Sequence, residues 1–554
     1  MTVTRAGTVT VADDDATPEQ PDGPRKADMG RAATTITVWN LVSRLTGFVR
    51  VIATAAALGV AVLGDTYQRA NEVSNVLFEL LAGGMLFSVL VPSFVVELRD
   101  HDPGRARQLA GALATRAVAA MTVLVVVGLA AGRPIMSLLS AGADPASRQA
   151  QVELGTFLLW FVLPQLLLYT LGSVASALLQ ADHRFAATSL APACNNVVVA
   201  ATMVAFLLVH DPARGLALST GEKVLLGGGT LAGTAAMTLV PLLALWRGGL
   251  GIRPRWQVPD ADLRSLARRG LWGAGHVGLN EVLIIATVVL AGSVSGGVIA
   301  YQTAFTFFLL PHALLAHPIF TALFPRLSRQ GAGAETGAFA RDLSRGLRSM
   351  LSLLLPAAGA LAVIAPPALS VLRLGRLDER GTRLVAVVLA AYLVGLAGYS
   401  TFFLLTRASY ALADPRRPTL VNLGVTLADV AAMAVAAATI DGSALLVTFG
   451  LIHAVAATAG SVVLFRLVSR RLGAPIPILA TLVRCGGAAL VSTAAAYVVA
   501  AAIGWRSTPT AVVTATAAGA VGVVGYVGVL AAVGSPELAV LRSRATALVG
   551  ARRP

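Results

Sequence analysis

The chain has 554 residues, of which 56% are hydrophobic and 13% are charged, and its mean hydropathy is +0.75. Soluble domains carry about 25% charged residues, so this composition excludes an ordinary soluble protein and indicates a polytopic membrane protein. The net charge of +15 is assigned to arginines in short loops, which orient membrane proteins, and not to a nucleic-acid-binding surface.

Residues 1–30 contain Asp, Thr and Pro without an apolar core, so they do not resemble a signal peptide and are expected to form a disordered tail. Long apolar stretches then recur almost without pause as far as residue 533. Their lengths predict an all-α protein with fourteen transmembrane helices. The predicted spans are 33–61, 68–97, 109–131, 153–180, 185–209, 224–246, 267–292, 297–324, 343–367, 384–412, 418–440, 443–468, 476–503 and 509–533.

The arginines outside these spans cluster in alternate connections, which predicts that both termini lie in the cytoplasm. The connection between spans 9 and 10 breaks this rule. It lies on the opposite side and carries Arg373, Arg376, Arg380 and Arg383.

An internal repeat relates the two halves of the chain. Leu-Val-Pro at 90–92 closes span 2 and Leu-Phe-Pro at 323–325 closes span 8, 233 residues later, and Ala-Asp pairs follow spans 4 and 10 at an offset of 232. A repeat of six spans predicts two lobes of the same orientation, as in transporters that rock two bundles around a central site. The predicted domains are a tail at 1–30, lobes at 31–250 and 265–472, two additional helices within 473–535 and a second tail at 536–554.

Two arginines, Arg44 and Arg50, lie inside the first span, where burying a guanidinium costs about 2.5 kcal/mol or more. The two arginines are six residues apart, so their side chains point about 120° apart around the axis of a straight helix. A bend at Gly47 would bring them together. They either form a cation pair for a phosphate or pyrophosphate, or both snorkel to the membrane surface. The pattern leaves the two alternatives open.

Carboxylates occur in the same region. For Asp65, Arg69 and Glu72 we favour an exposed loop with a surface ion pair. Glu79 lies deep in span 2 and needs a partner or a proton, and Arg44 or Arg50 is the natural partner. A structural ion pair and a proton-coupling site both remain open for Glu79.

In span 7, His276, Asn280 and Glu281 form a polar group that is interpreted as cavity lining. No metal-ligand spacing, nucleophile elbow or Walker A motif occurs, which favours a transporter without a cofactor over an enzyme. Four further polar residues of the spans are predicted to be packing residues: His312, His317, Asp429 and His453.

The pattern Ser43-Arg44-x-x-Gly47-x-x-Arg50, followed by Asp65, Asn75, Gly84 and Pro92, resembles the first two helices of the MurJ/MviN lipid II flippase family. This family belongs to the multidrug/oligosaccharidyl-lipid/polysaccharide exporter superfamily. Leu310-Pro311 and Leu323-Phe324-Pro325 fit the second half of the family pattern, and the resemblance covers residues 31–535.

The resemblance implies flipping of lipid II, the undecaprenyl-pyrophosphate-linked peptidoglycan precursor, across the bacterial cytoplasmic membrane by alternating access. It also implies cell-wall synthesis proteins as partners. By match, Arg44 and Arg50 contact the substrate headgroup and Asp65 shapes a gate. We add Glu79, His276, Asn280 and Glu281 as substrate-binding candidates. Gate or structural roles are expected for Gly47, Asn75, Gly84, Pro92, Pro311 and Pro325.

The sequence departs from the family pattern where cavity arginines are expected. Residues 74–79 lack the arginine pair of span 2, residues 302–306 lack the arginine of span 8, and Gly83 replaces a glutamate. Three alternatives to lipid II flipping therefore stay open. These are a flippase for another polyprenyl-linked glycan, an ion-coupled exporter of small cationic compounds, and an envelope scaffold that does not transport.

Overall fold

A computed structural model describes residues 26–80, 103–182, 184–256 and 263–538. Within these ranges the regular structure is helical, and no strand occurs. The first half comprises α1 (Lys26–Leu58), α2 (Val62–Phe78), α3 (Pro103–Ala130), α4 (Gly132–Leu139), α5 (Pro145–Val162), α6 (Gln165–Ala181), α7 (Phe185–Val209) and α8 (Thr220–Arg247). The second half comprises α9 (Leu263–Ala291), α10 (Gly297–Pro311), α11 (His317–Ala332), α12 (Thr336–Val371), α13 (Glu379–Leu393), α14 (Leu396–Ala411), α15 (Arg416–Thr439) and α16 (Ser443–Leu472), and α17 (Leu479–Ile503) and α18 (Thr508–Ala532) follow.

The prediction of an all-α polytopic membrane protein is confirmed. Eleven helical segments of the described ranges are long and apolar enough to cross a membrane, and the pair α13–α14, bent by 52°, brings the number to 12. Predicted span 7 corresponds to a shorter apolar segment, Gly275–Ala291, and much of predicted span 2 falls in residues 81–102, outside the described ranges. The count of fourteen therefore stays a prediction.

Several predicted spans are interrupted helices. Helices α5 and α6 meet at Pro164, which has no N–H to continue the backbone ladder. Pro311 ends α10, and one π-helical turn, His312–Ala316, leads into α11. Such turns are frequent at functional sites. His312 begins this turn and is buried, and His317 follows it directly and is exposed.

Within each half, small residues let neighbouring helices approach closely. Helix α1 packs along α7, and α7 packs along α8. A Cβ added to Gly229 of α8 would lie 2.2 Å from the side chain of Thr202 on α7. Because apolar side chains gain little by leaving lipid, this tight backbone approach supplies the packing that holds helices together in a membrane.

The appended helices α17 and α18 pack on each other and on α12. Glu537, which follows α18 and is 2% exposed, ties the three together. Its carboxylate accepts hydrogen bonds from Arg348 of α12 at 3.0 Å, from Thr481 of α17 at 2.6 Å and from Ser535 at 2.5 Å. Arg484 adds a fourth donor at 3.3 Å.

The two halves meet at one end of the bundle, here called the junction end, where the α1–α2 turn (residues 59–61) faces the α9–α10 loop (residues 292–296). Gly59 and Gly296 both have positive φ angles, of 72° and 77°. A Cβ added to Gly296 would lie 2.2 Å from the carbonyl oxygen of Val60, so only glycine allows this approach.

Candidate functional site: a sealed junction beneath which charged groups face each other

Asp65 seals the junction end by capping a helix of the other half. It lies on α2, is 2% exposed, and accepts hydrogen bonds from the backbone N–H groups of Gly296 at 2.8 Å and Ile299 at 3.0 Å. The first N–H groups of a helix have no partner within that helix, and the N-terminus carries a partial positive charge. The carboxylate therefore supplies α10 with an N-cap from the opposite half, as a gate residue would.

Two further residues on the same stripe of α2 continue the junction. Arg69 is 1% exposed and donates to the side-chain oxygen of Gln151 on α5. Glu72 is 9% exposed and accepts from the side-chain amide of Gln302 on α10 at 2.8 Å. The expectation of an exposed loop with a surface ion pair was wrong. The turn ends at residue 61, so positions 65, 69 and 72 share one face of α2 and that face is covered by neighbouring helices.

Below the junction, Arg44 and Arg50 lie on α1, which runs through Gly47 as one continuous helix. Gly47 instead admits α7, because an added Cβ would lie 3.3 Å from the amide nitrogen of Asn196. Arg44 is exposed and Arg50 half-buried. Arg44 lies within electrostatic range of His312 and His317 in the second half, so α1 presents its first cation toward α10 and α11.

The second half contributes a cation of its own, Arg407 on α14. It is exposed, lies within electrostatic range of His276 and His317, and sits 5.2 Å from the ring centre of Phe403. In the described part of the chain no salt bridge joins Arg44 or Arg407 to a carboxylate. Two permanent positive charges, one from each half, are thus left to attract an anion between them.

The carboxylates form a separate group. Glu281 on α9 is 6% exposed and lies within electrostatic range of Glu72 and Glu79 on α2. Glu79 is exposed, and the ion pair expected between it and Arg44 or Arg50 does not occur among the described contacts. The charged side chains therefore form two groups, one with the cations Arg44 and Arg407 and one with the three carboxylates.

Span 7 is fixed to α15 through Asn422. The Asn422 side-chain amide donates to the His276 carbonyl oxygen at 3.2 Å and to the Asn280 side-chain oxygen at 3.1 Å. The His276 ring stacks on Phe402 with centroids 6.2 Å apart. His276 thus faces Arg407 from a held position, whereas Asn280 bridges two helices.

The other predicted site residues are more scattered. Asn75 is exposed on α2, and Pro325 is exposed within α11. Pro311 is buried beside the π-helical turn. Gly84 and Pro92 lie outside the described residues.

The histidines expected to be packing residues have polar partners. His312 Nδ1 lies 2.9 Å from the Ser400 hydroxyl. His453 Nδ1 lies 2.9 Å from Asp429, which is fully buried. Both pairs join helices inside the second half, which fits a packing role.

Sequence reasoning missed Arg407 and the contact that Glu72 makes with the second half. Arg407 carried the signal that singled out Arg44, since it is an arginine inside a predicted span. For Glu72 no such signal exists, because its partner Gln302 is 230 residues away and only the packing of α2 against α10 joins them.

Two helical halves meet at one end, and beneath that end Arg44 and Arg407 have no carboxylate partner in the described ranges; this arrangement is typical of a membrane transporter built from two helix bundles. The sequence profile described as "Lipid II flippase MurJ" matches residues 54–520. The chain therefore belongs to the MurJ family of lipid II flippases, and the resemblance predicted from its first two helices is confirmed.

Two relatives with the same description support this assignment. A Rhizobium meliloti protein described as "Probable lipid II flippase MurJ" is 26% identical over 85% of this chain and 86% of its own. A Burkholderia cenocepacia protein described as "Lipid II flippase MurJ" is 27% identical over 72% of this chain and 76% of its own.

Solved structures share the fold. "Lipid II flippase MurJ, inward closed conformation" superposes with a TM-score of 0.71 and 16% identity, covering 90% of this chain and 99% of that one. An inward-facing multidrug resistance MATE family transporter of the MOP superfamily superposes with a TM-score of 0.59 and 14% identity, covering 79% and 98%. At these identities the likeness concerns the fold alone.

Proposed function

We propose that this protein flips lipid II across the bacterial cytoplasmic membrane by alternating access, with both termini in the cytoplasm and the junction end on the opposite side. Its family membership supports the substrate. The observation that carries the mechanism is the pair of cations Arg44 and Arg407, which come from different halves and have no carboxylate partner in the described part of the chain.

In this mechanism the pyrophosphate is held between the two halves. A guanidinium forms forked, charge-assisted hydrogen bonds with phosphate oxygens and keeps its charge at any physiological pH. An anion bound by Arg44 on one side and Arg407 on the other draws the halves together. The substrate itself then favours the rearrangement that releases the opposite contacts at the junction end.

The lobes predicted at 31–250 and 265–472 are the units proposed to move, and the helices within 473–535 follow the second lobe. Glu537 supports this grouping, because it ties α17 and α18 to α12 of the second half. The lipid bilayer and the polyprenyl-pyrophosphate substrate are the partners that this proposal requires.

The test is a lipid II accessibility assay in cells that are depleted of their native flippase and carry this chain. The fraction of lipid II reached by a membrane-impermeant reagent from outside is measured. The native chain should restore this fraction, and Arg44→Ala or Arg407→Ala should reduce the rate of its recovery roughly tenfold or more, as expected for a lost charged hydrogen bond.

Arg506→Ala is the matched control, since Arg506 is exposed in the α17–α18 connection, away from both halves. It should restore accessibility fully. If the native chain is present in the membrane but restores nothing, lipid II is not its substrate. The same assay with other polyprenyl-linked glycans then identifies the alternative, and no exposure of any of them would favour the scaffold.

A further inference from the structure

The loop between α12 and α13 (residues 372–378), here called the crossing loop, belongs to the second half but binds the first. The backbone N–H of Arg376 donates to the carbonyl oxygen of Ala56 at 2.8 Å. Ala56 lies in the last turn of α1, where carbonyl groups have no partner within the helix. The crossing loop therefore caps the C-terminal end of α1, as Asp65 caps the N-terminal end of α10 in the reverse direction.

The side chain of Arg376 makes a second contact, with the end of α7. Its guanidinium donates to the carbonyl oxygen of His210 and lies 5.8 Å from the ring centre of Phe206. His210 is held in turn, because its Nδ1 lies 2.7 Å from the carboxylate of Glu222 at the start of α8. The receptor for Arg376 is thus a fixed surface built by three helix ends of the first half.

Gly375 lets the crossing loop reach this surface. It has a φ of 60°, and an added Cβ would lie 2.5 Å from the carbonyl oxygen of Ala56 and 3.0 Å from Leu207. Only glycine satisfies both the backbone angle and the space. The glycine at this position therefore serves the contact with the first half, which the connection of α12 to α13 alone would not require.

This contact also accounts for an anomaly of the sequence. The connection that carries Arg376 lies on the side from which loop arginines are usually depleted. An arginine is retained there because its guanidinium binds a carbonyl group of the opposite half. The Nε of Arg376 is buried without a partner in the described part of the chain. Because this buried nitrogen lacks a hydrogen-bond partner, the closed state gains less from Arg376 than it would from a fully paired guanidinium, and the contact is easier to break.

We propose that the crossing loop is a second latch of the junction end, with Arg376 as a positioning residue that must release Ala56 and His210 before the halves can separate. The purpose of such a latch rests on the proposed transport function. Its existence does not, because it can be measured as a shift in the equilibrium between the closed and open states. Asp65 and Arg376 then hold the same closed state from opposite directions, one from each half.

The experiment measures the closed state directly in the full-length protein in lipid nanodiscs. Spin labels are placed at Ala213 in the first half and Ser295 in the second, both exposed at the junction end, after replacement of Cys194 and Cys485 by alanine. Pulsed electron paramagnetic resonance gives the distance distribution between the labels. A second label pair, Ala213 with Ala150, reports on the first half alone.

Arg376→Gln should raise the ratio of long to short distances roughly tenfold or more, because a charged hydrogen bond is lost only from the closed state. The label pair within the first half should not change. Arg376→Lys, which can still donate to a carbonyl, should give a smaller rise, and it carries the test if the Gln variant does not reach the membrane. Arg373→Gln is the matched control, since Arg373 lies in the same loop and pairs with Glu379 of its own half at 3.6 Å.

An unchanged distance distribution in the Arg376 variants would overturn the latch, and so would an equal rise in Arg373→Gln. A rise confined to the Arg376 variants supports it whatever the lipid II assay gives. Failure of the native chain in that assay, with the rise present, would reject the proposed substrate and leave the latch in place.

Discussion

Replacing Asp65 by alanine should open the junction end. In the closed state the change leaves the N–H groups of Gly296 and Ile299 without their acceptor, and each buried unsatisfied donor costs about 1–3 kcal/mol. Once the halves separate, water reaches both groups and the cost disappears. The closed state alone is therefore penalised, by about 2 kcal/mol at the lower limit, which corresponds to more than a tenfold shift toward the open state.

The assay is the distance measurement between labels at Ala213 and Ser295 in nanodiscs. Asp65→Asn should give an intermediate shift, because one of its two side-chain oxygens is replaced by a donor. Asp144→Ala is the matched control, since Asp144 caps α5 through the N–H of Ala146 at 3.0 Å within one half. If Asp65→Ala leaves the distances unchanged, or if Asp144→Ala shifts them equally, the inter-half cap does not hold the gate and the reasoning is refuted.

Gly296→Ala should open the same junction. Alanine at a positive φ costs about 1–2 kcal/mol, and its Cβ would lie 2.2 Å from the carbonyl oxygen of Val60 in the facing turn. A label distance equal to that of the parent protein would contradict this prediction. Burial alone would raise the pKa of Glu537, but hydrogen bonds from Ser535, Thr481 and Arg348 outweigh it and lower the pKa from 4.5 to about 2. The folded-state pKa is depressed, so this carboxylate stabilises the fold above about pH 4.5 and the contribution is lost as the pH falls toward 2. In purified protein, Glu537→Gln should therefore lower the thermal midpoint near neutral pH, and the difference from the parent should shrink on acidification through that window, whereas a constant difference would exclude the ionised form as its source.

The sequence predicted the architecture well because a bilayer leaves few choices. A segment of about 20 apolar residues has to be a helix in a membrane, which is why the all-α membrane fold could be predicted. The orientation of the two halves that the repeat predicts stays a prediction. Arg44 and Arg50 could be recognised for the same reason, since a charge inside an apolar segment stands out from its neighbours. Applied to every span, that criterion would also have found Arg407.

The junction could not be predicted in this way, because its contacts join residues that are far apart in the sequence. Asp65 and its partner Gly296 are separated by 231 residues. In the sequence alone, Asp65 is an ordinary polar residue near a turn and Gly296 is an ordinary glycine in a loop. An exposed ion pair was the reasonable expectation for Asp65. The expectation failed because the partner that buries Asp65 belongs to the other half of the molecule.

The distribution of charge along α1 and α2 links these two parts of the molecule. Arg44 of the first half and Arg407 of the second both lie within electrostatic range of His317 and have no carboxylate partner in the described part of the chain, whereas Asp65 caps the positive end of α10. An anion between the halves therefore relieves repulsion near Arg44 and Arg407, while Asp65 and Arg376 already satisfy the junction end. In the proposed mechanism, substrate binding and the contacts at the junction end therefore act on the same relative motion of the two halves. For this reason the arginines missing from span 2 and span 8 need not abolish transport, since Arg407 supplies a cation from the half that has to move.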